Sequence, residues 1–106
     1  MKIICVPYSD GSMGKNKGSE KAPNYILNEL KSMKKEFSAN RLDINRSNFE
    51  DELENIKLAD IYLGGDHSIT YYTFKRFAKG FKNPGLLVFD AHPDMYPSED
   101  INVIGH

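Results

Sequence analysis

Asp90, His92 and Asp94 occupy every second position directly after the apolar run Leu86–Phe89, in the stretch "LLVFDAHPDMY". In an extended chain, side chains at i, i+2 and i+4 share one face. Two carboxylates and an imidazole crowded on that face repel or desolvate one another unless something compensates them, and a divalent cation is the usual compensation. A second polar cluster, "GGDHS" at 64–68, follows the apolar run "IYLG". Gly64 and Gly65 are expected to let the backbone turn tightly, so that His67 projects over the end of that run.

The elements that must position these residues follow from periodicity. "KIICVPY" reads as a first strand closed by Pro7, and the Gly-, Ser- and Lys-rich "SDGSMGKNKGSEKAP" as a long loop of the kind that often carries function. A helix capped by Ser19 continues from Pro23, with Ile26, Leu27, Leu30 and Met33 as its buried stripe. "ANRLDIN" reads as a short strand. "RSNFEDELENIKL" reads as a helix capped by Ser47, burying Phe49, Leu53 and Ile56. "ADIYLGGDHS" is a buried strand ending at Gly64, and a helix capped by Ser68 runs to about Gly80. "PGLLVFDAHPD" is the next strand and its exit.

Strands alternating with helices predict βαβ units and a three-layer α/β/α fold with a mainly parallel sheet. The runs are continuous rather than alternating, as when helices cover both faces. Neither a repeat nor a domain boundary is evident, so residues 1–106 are expected to form a single domain. In such a sheet ligands bind beyond the carboxyl ends of the strands. Both polar clusters follow strands and therefore fall on the same edge, where His67 can join Asp90, His92 and Asp94. Mixed imidazole and carboxylate ligation suits Mn, Fe, Co or Zn and argues against a cysteine-type structural zinc site. A carboxylate such as Asp90 can bridge two ions, and such a pair can activate water.

Composition narrows the classes. The formal net charge of the 106 residues is -1, which gives no electrostatic case for nucleic acid or an anionic membrane. Cys5 is the only cysteine, so no intramolecular disulfide forms and a cytoplasmic location is expected. Lying within "IICV", it reads as a small buried hydrophobe rather than a nucleophile. The chain has no stretch approaching the ~20 apolar residues of a membrane helix, and its start "MKIICVPYSDG", which turns polar early, is not expected to act as a signal peptide.

"GGDHS" together with "DAHPD", in this order, resembles the arginase/agmatinase ureohydrolase family. "KGSEKAPNYIL" resembles that family's G-x-x-x-G-P-x-x-L/I start, with Ala22 where glycine is usual, and "DAHPDMY" leans toward its agmatinase-like members. The resemblance spans essentially the whole chain. It implies an arginase-like fold and a binuclear manganese site whose bridging hydroxide attacks a guanidinium carbon, releasing urea or a related amide. His67 and Asp94 would ligate one ion and His92 the other, with Asp90 bridging. Asp66 matches a supporting position, and His106 falls near a histidine proposed to shuttle protons.

The family's second D-x-D motif and a late acidic residue that holds the guanidinium are not in these 106 residues. The expectation is therefore the N-terminal half of the fold, truncated, with an exposed apolar sheet edge and a small core. Its substrate, if it is active, is a small guanidino compound, and a homo-oligomer or a complementing chain is expected. The alternatives are a non-catalytic metal-binding α/β module that acts through self-association or a partner chain, a binuclear phosphoesterase, and a fold relic without metal. The phosphoesterase is disfavoured because such enzymes typically place D-x-H first.

Overall fold

The structure, a computed structural model, describes residues 1–12 and 17–90. Three parallel strands, β1 (Lys2–Val6), β2 (Ser38–Arg41) and β3 (Ile61–Gly64), lie in the order β2-β1-β3. Helix α1 (Ala22–Ser32) connects β1 to β2, α2 (Phe49–Glu54) connects β2 to β3, and α3 (Thr70–Ala78) follows β3. The chain first steps from β1 to one neighbour and then crosses back to the other. Right-handed crossovers in opposite directions put α1 on one face of the sheet and α2 on the other. The outcome is the α/β sandwich expected from the alternation of elements.

β1 is central, which is why its apolar residues run without a break. Ile4 and Val6 face α2 and α3, forming a core with Tyr8, Leu53, Ile56 and Ile69. Phe49 of α2 stacks beside Tyr8 at 4.7 Å between ring centroids and meets Tyr72 of α3 edge-on at 5.5 Å. The alternate residues Ile3 and Cys5 are also buried, as is Pro23 of α1.

Burial raises the Cys5 thiol above its ordinary value of 9.0, the Arg41 charge opposing weakly. Desolvation likewise raises the Tyr8, Tyr62 and Tyr72 hydroxyls above 10.0. All four groups hold their protons more tightly folded than unfolded, so stability is retained below these ordinary values and falls as pH rises through them. We expect the urea midpoint to drop from pH 9.0 upward, and Cys5 to react with a disulfide reagent at least ~10-fold faster once unfolded.

Several local expectations are corrected. Ser19 opens a 3-10 turn (Ser19–Lys21) instead of capping α1, whose N-cap is Lys21 without a side-chain bond. Ser47 does not cap α2. Asn45 Oδ1 accepts from the Ser47 and Asn48 amides, and Asn48 is the N-cap. The stripe of α1 is only partly covered: Leu27 and Leu30 are half-buried, but Ile26 is 42% and Met33 60% exposed. Three strands give the helix too little surface to cover the whole stripe.

The end of α1 has no glycine. Lys34 takes φ 54°, and the amides of Lys34 and Lys35 bond back to the carbonyls of Lys31 and Leu30. This is a Schellman closure with lysine in the left-handed position that glycine usually fills. Lys34→Gly should therefore raise stability by about 0.5–1 kcal/mol, read as a higher urea midpoint.

The largest departure lies at residues 84–90, which form no strand. Leu86, Leu87, Val88 and Phe89 are 55%, 78%, 49% and 91% exposed. A strand is a property of a pair, and among the described residues this apolar run pairs with nothing, while the outer edge of β3 carries no further strand. Apolar exposure is therefore found at residues 86–89, whereas the β3 residues Ile61–Gly64 at the expected sheet edge are half-buried.

Candidate metal centre

Val6 pairs in register with Gly64, so the chain leaves β1 and β3 side by side at the same edge of the sheet. This is the carboxyl edge, where parallel α/β sheets place their ligands. Beyond Gly64, Asp66 adopts an extended conformation and caps a 3-10 turn (His67–Ile69). Its Oδ1 accepts from the Ser68 amide at 3.0 Å and from the Ser68 hydroxyl. Ser68 is thus the donor, and Asp66 holds the capping position expected for Ser68. The carboxylate that matched a supporting position acts on the backbone beside His67.

His67 is half-buried at the start of this turn, and its Nδ1 pairs with Thr70 Oγ1 at 2.7 Å. The bond fixes the rotation of the ring. With Nδ1 engaged by Thr70, Nε2 is the nitrogen that would hold a metal without disturbing this bond.

Gly64 and Gly65 serve a purpose other than the turn expected of them. Neither has a positive φ; among the described glycines only Gly18 does, at 100°. Their value is closeness. A Cβ on Gly65 would overlap the Tyr8 carbonyl oxygen and come within 2.9 Å of Glu20 Cα. A Cβ on Gly11, in the 3-10 turn Asp10–Ser12, would reach 2.5 Å from Ser68 Cβ. The loop after β1 therefore lies directly against the turn that carries His67. Ser9 donates to Glu20 Oε2 at 2.6 Å and the Gly18 amide to the same oxygen at 2.9 Å, which ties the two ends of that loop together. Sequence reading misses this link because its partners lie far apart across the loop.

Of the proposed ligands, His67 and Asp90 are described; His92, Asp94 and His106 lie outside the described residues. Asp90 is exposed and follows the irregular run 86–89, so no strand places it at the sheet edge as expected. Among the described residues no group of three or more His, Cys, Asp or Glu side chains could hold a metal. Only two of the four candidate ligands belong to that described set. The donor chemistry fits manganese: imidazole and carboxylates are available, and the one thiol is buried within β1. Among the described residues no helix is long and apolar enough to cross a membrane.

Comparison with known proteins bears directly on this edge. Over 55 residues, 51% of the chain, it is 36% identical to Arginase 1, mitochondrial, of Oryza sativa subsp. indica, of which the match covers 16%. Over 40 residues, 38% of the chain, it is 48% identical to the formimidoylglutamase of Halalkalibacterium halodurans, of which the match covers 12%. The matched stretches thus span less than a fifth of either relative. No solved structure gives a significant match. The arginase family model matches residues 1–106, the whole chain, including both polar clusters. The chain belongs to the arginase family.

Proposed function

We propose that this chain supplies manganese ligands of a ureohydrolase-type hydrolase, with His67, Asp90, His92 and Asp94 as the ligands and Asp90 bridging two ions. The observation that carries the reading is the placement of "GGDHS" at the carboxyl edge, within a chain that matches the family from end to end. When bound, manganese supplies an activated water and charge stabilisation for attack on a guanidinium-type carbon. The chain's own residues perform the positioning. Asp66 holds the turn, Thr70 orients the His67 ring, and the loop after β1 packs against both. The substrate class is a small guanidino or formimino compound. His106 is assigned a proton-shuttling role. The single, buried thiol supports a reducing, cytoplasmic location.

The test is hydrolysis of arginine, agmatine and formiminoglutamate with and without manganese. Release of urea or formamide that a chelator abolishes supports the reading. Turnover of a generic phosphate ester instead would assign the chain to binuclear phosphoesterases. Within the site, Asp90→Asn should lower manganese affinity more than Asp66→Asn. The amide introduced at position 66 keeps the acceptor that caps the turn, whereas the amide introduced at position 90 removes a bridging charge. Equal effects would remove Asp90 from the bridging role.

A second reading has its own observation. The outer edge of β3, which carries no further strand among the described residues, and the exposed run 86–89 favour a metal-binding module completed by self-association or by a partner chain. Metal binding without hydrolysis, together with a dimer mass in light scattering, would support it.

A further inference from the structure

We infer that Glu20 is a positioning residue for His67, acting as a latch that holds the loop after β1 against the metal-bearing turn; this rests on the assignment of His67 as a ligand. Three observations converge on the Glu20 position. Glu20 Oε2 accepts from Ser9 Oγ at 2.6 Å, which anchors it to the segment leaving β1. The same oxygen accepts from the Gly18 amide at 2.9 Å, where the chain returns toward α1 with φ 100° at Gly18. The Glu20 backbone itself abuts Gly65, since a Cβ there would lie 2.9 Å from Glu20 Cα and 3.0 Å from its nitrogen.

The carboxylate thus closes a loop whose backbone forms one wall of the Gly65–Ser68 turn, and Gly11 from the same loop meets Ser68 from another side. Hydrogen bonds from Ser9 and from backbone amides hold the Glu20 carboxyl below its ordinary value, as expected of an acceptor used in its charged form. Asp66 caps the turn from within, and Glu20 braces it from outside. Without the brace, Asp66 still defines the turn and the Val6–Gly64 pairing still holds its start beside β1, but the wall that the Glu20 backbone forms against Gly65 is loosened. The His67 ring then samples several positions relative to the other ligands. Partners of a ligand that do not touch the metal commonly change affinity by about 10–100-fold.

The experiment compares Glu20→Ala, Glu20→Gln and the unaltered chain by two readouts. The first needs no metal: amide hydrogen exchange at Asp66–Ile69, with Leu53 and Glu54 of α2 as internal reference. Glu20→Ala should speed exchange in the turn by roughly tenfold while leaving α2 unchanged. The second is manganese affinity, which should fall about tenfold in Glu20→Ala and recover to within about threefold in Glu20→Gln, since glutamine keeps an acceptor for Ser9 and Gly18. Unchanged exchange in the turn, or equal acceleration in α2, would overturn the latch. If the unaltered chain binds no manganese, the ligand assignment fails, while the exchange result still decides whether Glu20 holds the turn.

Discussion

Gly65→Ala should be the most damaging glycine-to-alanine change among the described glycines. The added carbon would overlap the Tyr8 carbonyl oxygen and crowd the Glu20 backbone. Both obstacles are main chain, so no rotamer change relieves them. Either the segment after β1 or the turn bearing His67 must move, and both lie at the carboxyl edge. Overpacking of this kind costs about 1–3 kcal/mol, and a clash between backbones belongs at the upper end. Gly85→Ala is the matched control, because a Cβ at Gly85 meets nothing within 4 Å among the described residues. It should stay within about 0.5 kcal/mol of the unaltered chain. Urea midpoints for the two variants decide the matter. Equal midpoints would mean that the loop after β1 does not pack against the turn. The same substitution should weaken manganese binding, since it displaces the backbone beside His67.

Leu53→Ala should cost about 2–5 kcal/mol. Leu53 is 1% exposed on α2 and packs in the core with Ile4, Val6 and Ile69. Removing its branched end leaves a cavity against the central strand, where β1 is fixed by a partner on each side and cannot collapse inward. A small domain holds about 5–15 kcal/mol in total. The loss is therefore a large fraction of what keeps the three layers together. Leu58→Ala is the contrast: Leu58 is 47% exposed, and its truncation should change stability by less than about 0.5 kcal/mol. Thermal unfolding of both variants tests the difference. A Leu53→Ala chain that melts with the Leu58→Ala chain would show that α2 does not close the core.

How much of the fold is legible in the sequence follows from how local each signal is. β1 and β3 are continuous apolar runs closed by Pro7 and by Gly64, and both strands form where expected. Leu53 on α2 and Ile56 just beyond its end follow a periodic signal, and both residues are buried. Caps are less legible because several good acceptors compete within a few residues. Asn45 and Asn48 displace Ser47, and Asp66 displaces Ser68, a carboxylate being as good a cap as a hydroxyl. The end of α1 gives no sign of itself, since Lys34 stands where glycine would announce it.

Long-range packing is not legible at all. Gly64 and Gly65 read as turn formers, whereas their role is to let another segment approach. The run 86–89 has the composition of a buried strand, but composition does not supply a partner. The candidate site divides in the same way. The turn carrying His67 follows from β3 and lies at the expected edge. The expected placement of Asp90 depends on a strand that does not form.

Manganese binding by this chain is tested most directly by the number of manganese ions bound per purified chain, with Asp90→Asn as control. Binding of one or two ions per chain, lost in Asp90→Asn, is the expected result. No specific binding, or binding that Asp90→Asn leaves intact, would contradict the claim that His67, Asp90, His92 and Asp94 form a metal centre here.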